Sequence, residues 1–335
     1  VAKVENETLV KHLKKLLHGL AIAPVVLVAV LTLCAACESM YWRNYLIAQF
    51  RLQIAIGALI LMAILLIPRS TRKYAAITAI LAAVHCAYVL PVCIPKPIAK
   101  NDRQAISFLQ INVNNRNERY EDVLHYVGET KPDVLLITEL NDPWKKAFDS
   151  LTEYKYSCTA PRPDTYGIAV YSKRELIDAQ VKVYGSFGHP SIVCKVENAD
   201  QPMTLVHTHI QGPIKLYGFD WHREQILIMA KELKKLDKPL VVTGDTNSTP
   251  WTYLLSGLMK ECDLVDTRSG FGMQLSWPAP INFWKYPFVL IPIDNCFVTP
   301  EIDVLERNVG PFIGSDHYPI WIKLARNSRQ PTVKP

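Results

Sequence analysis

The sequence predicts an α/β globular domain spanning residues 105–325, carried behind three transmembrane helices. Three observations support this reading. Apolar runs almost free of charge fill the first 95 residues, short apolar runs suited to buried strands alternate with helical patterns beyond them, and polar side chains recur where those runs end.

The 335 residues carry a formal charge of +6 and a mean hydropathy just above zero, high for a wholly soluble chain. The charge is unevenly divided: residues 1–100 hold 11 Lys and Arg against 3 Asp and Glu, and the rest hold 26 against 28. A near-neutral globular half lacks the broad basic footprint of a domain that grips a polyanion through many phosphates, which weakens a non-specific nuclease reading without excluding it. Cys158, Cys194, Cys262 and Cys296 have no zinc-site spacing and read as small core residues, with disulfides open if the domain is extracytoplasmic.

The membrane region covers 1–95, with spans expected at about 17–37, 46–67 and 74–94. Arg51 lies where it could snorkel, and His85 inside the third span reads as a residue facing a neighbouring helix. A cleaved signal peptide is the alternative for the first run, but two further apolar runs argue against simple secretion. Lys3, Lys11, Lys14 and Lys15 precede the first span and Arg69, Arg72 and Lys73 precede the third, whereas the loop from Glu38 to Gln49 has only Arg43. This bias makes the N-terminus cytoplasmic and, with three spans, puts the globular half on the far side of the membrane.

After a linker at 96–104, eight runs read as strands: ISFLQINV, DVLLIT, GIAVYS, SIVCKV, MTLVHTHI, PLVVTGD, PIDNCFVT and YPIWIKL. Between them, Gly218–Leu236 sets Ile226, Met229, Ala230, Leu233 and Leu236 on one face of an amphipathic helix. The tail, 326–335, is polar and reads as disordered.

The strand ends carry the chemistry. Asn112 and Asn114 close the first run, Glu139 the second, His207 and His209 the MTLVHTH run, and Asp245 with Asn247 the PLVVTGDTN run. Asp294 lies in PIDN, and Asp316 with His317 precede the last run. Such a set is rich in oxygen and imidazole with no thiolate, which suits Mg²⁺ or Mn²⁺. A hard ion, a base to align water and donors for transition-state oxygens are what phosphoryl chemistry requires.

In order, LQINVN, LLITEL, VHTHI, TGDTN, PIDN and GSDHYPI resemble the endonuclease/exonuclease/phosphatase superfamily over essentially all of residues 105–325. The resemblance implies a four-layered sandwich of two β-sheets flanked by helices, with the site at one edge. It implies Asn112, Glu139 and Asp316 as metal residues, Asp245 as the group that orients or deprotonates water, and Asn247 as a donor to phosphate. It also implies His317, paired with Asp294, as the stabiliser of pentacoordinate phosphorus or an acid/base partner, and His209 as a contact to phosphate or leaving group. Thr246 and Asn295 stand where many relatives have an aromatic residue and a His. Asn114 reads as a support of the site, and His207 equally as site or packing.

The membrane spans together with SWPA and PIDN look most like a bacterial membrane-associated branch. That implies an inner-membrane, multi-pass protein with a periplasmic or extracytoplasmic catalytic domain. The expected partner is a phosphoester substrate, with a lipid or lipid-linked head group first and nucleic acid less favoured; a catalytically silent phosphate receptor is the non-enzyme alternative. The aromatic segment with Trp277, Phe283, Trp284, Tyr286 and Phe288 reads as a loop beside the site.

Overall fold

The computed structural model describes residues 2–97, 104–198, 201–280 and 289–327. The chain divides into two compact units, Val1–Pro91 and Val92–Pro335. Most of the expected linker, the aromatic cluster at 283–288 and the end of the tail lie outside the described residues.

The first unit contains α1 (Ala2–Ala36), α2 (Trp42–Gln49), α3 (Arg51–Leu66) and α4 (Arg72–Val89). His18–Ala36 and Arg69–Cys93 are long and apolar enough to cross a membrane. The middle expected span is instead a pair of helices, α2 and α3, bent by 65°, and α2 occupies much of the stretch expected as a loop. The break has a polar cause. Arg51 does not snorkel; it is buried, donates to the Ala35 carbonyl at 2.8 Å and pairs with Glu38 at 3.2 Å. Its guanidinium also lies 3.9 Å over the Tyr88 ring. The start of α3 is thereby tied to the end of α1, satisfying a helix-terminal carbonyl that would otherwise lack a partner. His85 is fully buried, with Nε2 3.0 Å from the Thr32 hydroxyl of α1.

Removing one member of a buried ion pair strands the other charge, at about 3–5 kcal/mol. Glu38→Gln should therefore lower the thermal unfolding midpoint of the detergent-solubilised chain, whereas substitution of the exposed Arg43 should not. Equal midpoints for Glu38→Gln and the parent would show that the pair does not hold the bend.

Among its described residues the second unit has twelve strands: β1 (Ile106–Asn112), β2 (Val134–Thr138), β3 (Tyr156–Ala160), β4 (Ile168–Ser172), β5 (Leu176–Val183), β6 (Pro190–Val196), β7 (Met203–His209), β8 (Leu240–Asp245), β9 (Val265–Asp266), β10 (Asp294–Val298), β11 (Ile302–Val309) and β12 (Ile320–Arg326). They form two six-stranded sheets, ordered β11-β12-β1-β2-β4-β3 and β5-β6-β7-β8-β10-β9. Each sheet has a parallel pair at its centre, β1 with β2 and β7 with β8. A parallel pair needs a crossover; α5 (Tyr120–Thr130) supplies it in the first sheet and α7 (Lys215–Leu233) in the second. The remaining helices are α6 (Asp142–Phe148) and α8 (Tyr253–Cys262). All eight apolar runs are strands.

Facing side chains such as Phe108, Leu136, Val170, Ile192, Leu205, Val241 and Ile322 fill the space between the sheets. A second cluster, with Leu109, Ile111, Val123, Val127, Trp144 and Phe148, packs α5 and α6 against the first sheet. On α7, Ile226, Met229, Ala230 and Leu233 are buried as expected, but the helix starts at Lys215 and stops before Leu236. Cys158, Cys194, Cys262 and Cys296 are free thiols, the last three of them buried.

Candidate active site

Hydrogen-bond register, more than loop shape, places the polar residues. In the second sheet His209 lies beside Asp245 in the parallel β7–β8 pair, and Asp294 lies opposite Asp245 in the antiparallel β8–β10 pair. Three side chains from three strands thus form one lateral row. Across from it, β1 of the first sheet ends in Asn112, whose Nδ2 donates to Glu139 Oε1 and to Asp245 Oδ2, both at 3.1 Å. One amide therefore joins the two sheets at the site.

Three of these positions use left-handed backbone: Asn114 (φ 53°), Glu139 (φ 62°) and Asn247 (φ 50°). For a residue with a Cβ this costs roughly 1–3 kcal/mol and persists only where surroundings enforce it. Here each side chain reaches a neighbouring element: Asn114 donates to Asp316, Glu139 accepts from Asn112, and Asn247 donates to the Ile210 carbonyl. The Glu139 carboxylate accepts from Asn115 N at 3.1 Å, and the Asp245 carboxylate from Asn247 N at 2.8 Å.

His317 Nδ1 lies 2.8 Å from Asp294 Oδ2, and its Nε2 lies 3.5 Å from Asp245 Oδ2. Burial disfavours the imidazolium, but Asp294 and Asp245 outweigh it and raise His317 to about 10. Burial likewise opposes ionisation of Asp294, yet His317 holds it below the usual carboxylate range. Burial prevails at Asp245 and Glu139, and both are pushed up. His209 Nε2 is 3.5 Å from Asp245 Oδ2 and 3.2 Å from Asn247 Nδ2, and burial lowers its proton affinity. Asp316 sits to one side, its carboxylate accepting from Asn114 Nδ2 at 2.8 Å and Trp277 Nε1 at 3.3 Å. Asn114 N in turn donates to Asn112 Oδ1 at 3.0 Å.

Two parts of this constellation could hold a metal ion. Ligand atoms of Asp245, Asp294 and His317 lie within 4.8 Å of one another, but there the imidazolium already sits between the carboxylates. Glu139 has the neutral amide of Asn112 as its side-chain neighbour, and the group Glu139, Asp245 and Asp294 carries more negative charge than His317 offsets. A hard divalent cation fits that excess, with oxygen donors suited to it.

His207 has a packing role. It is fully buried between the carbonyls of Ile137 in one sheet, at 3.1 Å, and Thr243 in the other, at 3.3 Å. Burial drops it to about 4, so the neutral ring packs between the sheets beneath the site and donates to one of the two carbonyls. Sequence reasoning missed Gln110, which accepts from Thr243 Oγ1 at 2.7 Å and donates to Asp294 Oδ1 at 3.3 Å, and Ser276, 3.3 Å from Asp294 N. It also missed Tyr166, whose ring lies 4.9 Å from that of His209. Gln110 stands two residues before Asn112, on the same strand face, and that alternation was the one available signal. Thr246 and Asn295, the two departures from the family pattern, are hydrogen-bonded to each other, and Asn295 Oδ1 also accepts from buried Arg268 at 2.6 Å.

A two-sheet α/β sandwich with an oxygen-rich site at the strand ends is the class that fold and geometry define. The model of the Endonuclease/Exonuclease/phosphatase family matches residues 109–317, well over half of the chain, and the chain belongs to that family. Among solved structures, the endonuclease/exonuclease/phosphatase from Bacteroides vulgatus is 19% identical with a TM-score of 0.57, covering 67% of this chain and 100% of that one. D. rerio TDP2, complexed with single strand DNA product, is 15% identical with a TM-score of 0.57, covering 66% and 99%. The human Nocturnin catalytic domain with bound sulfate anion is 15% identical with a TM-score of 0.54, covering 67% and 96%. At these identities the likeness is one of fold. No curated protein matches the chain in sequence.

Proposed function

We propose that the chain is a divalent-metal-dependent phosphoester hydrolase that uses water as nucleophile and acts on a lipid or lipid-linked phosphoester. The observation that carries the reading is the His317–Asp294 pair set against Asp245, with Glu139 and Asn112 facing them from the other sheet. Asn112 and Glu139 would hold Mg²⁺ or Mn²⁺, with Asp316 supporting them through Asn114. When bound, the ion neutralises phosphate charge and polarises the phosphoryl oxygen. Asp245, its proton affinity raised by burial, takes the proton of the attacking water. His317, kept protonated by Asp294, donates from Nε2 to oxygens on which charge develops. Asn247 donates to a phosphate oxygen, and His209 contacts phosphate or the leaving group.

The lipid preference follows from apolar N-terminal helices joined to a near-neutral domain. We further infer a multi-pass inner-membrane protein of a bacterial branch, with the domain on the extracytoplasmic side. The DNA product bound to D. rerio TDP2 favours a nuclease as the second reading. A panel of phospholipids, nucleic acids and aryl phosphodiesters, assayed with Mg²⁺, Mn²⁺ or Ca²⁺ and with chelator, separates the two. Chelator-insensitive turnover, or none on any member, would overturn the proposal.

Glu139→Gln keeps shape and removes one ligand charge. It should cost about 10²-fold in turnover, the equivalent of about 2.7 kcal/mol, with recovery at high metal concentration limited to the binding component. Parent-like turnover at every metal concentration would remove Glu139 from the metal site.

A further inference from the structure

A continuous series of rings leads away from His209. Tyr166 lies 4.9 Å from it, His189 stacks on Tyr166 at 3.4 Å, Phe187 meets His189 edge-on at 4.6 Å, Trp221 stacks on Phe187 at 4.1 Å, and Tyr217 follows at 6.4 Å. The inner end is fixed. His189 is buried with Nδ1 unpartnered, burial lowers it to about 4, and the neutral ring packs face to face on Tyr166. The outer end is open to solvent: Phe187 is 45% exposed, Ile214 67% and Tyr217 73%. Tyr217 and Trp221 lie at the i, i+4 spacing of one helix face on the first turns of α7, and Ile214 is the extended residue immediately before that helix. The turn carrying Phe187 is held to that helix by Ser186, whose hydroxyl donates to Glu224 at 2.7 Å. The strip is therefore anchored at its inner end, and its outer end is left exposed on this unit.

We propose that this strip is a lipid-contacting face, and that it brings a membrane phospholipid's phosphoester to the row His209–Asp245–Asp294. The inference rests on the phosphoester reading of that row. Three features select a bilayer surface. A side-by-side mixture of Trp, Tyr, Phe and an aliphatic residue is the composition of proteins at the boundary between head groups and acyl chains. The helix turns that carry the strip have balanced charges, Lys215 and Arg223 against Asp220 and Glu224, so the face lacks the cations that a polyanion needs and suits a zwitterionic surface. The same chain also carries helices long and apolar enough to keep it on a membrane.

The test needs no turnover, so it can fail or succeed independently of the hydrolase reading. The full chain and its Trp221→Phe variant are reconstituted in phosphatidylcholine vesicles, with and without lipids brominated near the head-group end of the acyl chain. The difference emission, which reports Trp221 alone, should lose at least half its intensity to brominated lipid. That quenching should fall at least threefold in an Ile214→Ser/Tyr217→Ser variant. Absence of quenching in the parent overturns the proposal, as does quenching unchanged in the double variant. A response of Trp221 to a single-stranded oligonucleotide and not to brominated lipid would instead give the face to nucleic acid.

Discussion

Asp245→Asn and His317→Ala should each lower turnover by on the order of 10²-fold or more while leaving substrate affinity nearly unchanged. Both groups act on what forms during the reaction. A buried carboxylate pushed upward in proton affinity takes a proton only as water attacks, and a buried imidazolium meets charge that the resting phosphate does not yet carry. Asp294→Asn should be milder, because the amide still positions the ring at Nδ1 but no longer secures its proton. The double variant at Asp294 and His317 should be little worse than His317→Ala alone, since a unit is lost only once. Steady-state kinetics on one soluble diester at saturating metal would check this. Multiplicative losses in the double variant would separate the two residues and dismiss the 2.8 Å pair as incidental to catalysis.

Gly244→Ala should be severely damaging for a single added methyl group. Gly244 has φ +143°, and a Cβ there would fall 1.8 Å from the Thr208 carbonyl oxygen and 2.8 Å from its carbon. Those are backbone atoms of the parallel partner strand, so nothing soft can give way. A loss of more than about 4 kcal/mol is expected, visible as failure to show a cooperative thermal transition. Gly257→Ala is the matched control: it lies within α8 with nothing within 4 Å of the added carbon, and should stabilise by about 1 kcal/mol. Equal unfolding curves for the two variants would mean that β7 and β8 can part by more than an ångström without penalty.

The strands legible in the sequence and those that were not differ by position in the sheet. Each of the eight interior strands reads as an apolar run because both of its faces are covered. The four overlooked ones, β3, β5, β9 and β11, are the four sheet edges. There β5 reads LIDAQVKV with half of its residues exposed or more, and β11 carries Asp303, Glu306 and Arg307, so neither hydrophobicity nor alternation marks them. Edges tolerate charge because it discourages pairing with another chain. At the site, residues ending interior strands were legible for the same reason that those strands were. Gln110 and Ser276 were not, since each serves Asp294 across a fold whose distances no local string contains. The bend between α2 and α3 was equally hidden: its buried ion pair draws on Glu38, thirteen positions before Arg51 and in the turn that follows α1.

The lateral row His209–Asp245–Asp294 also bears on how such a protein can diversify. A slip of one residue between β8 and β10 would set Asn295 against Asp245 and turn the Asp294 side chain to the opposite face. Register is enforced by five paired positions along that ladder and by the apolar packing of both strands, so the reacting groups cannot drift by small steps. Beyond strand-end residues such as Asn247, the connections that leave those strands are under no such constraint. Insertions, deletions and new aromatic or charged tips in them can be sampled without moving the row. One unchanging reaction centre can thereby be offered to successive lineages as a fixed tool, with the molecules it works on decided at the rim.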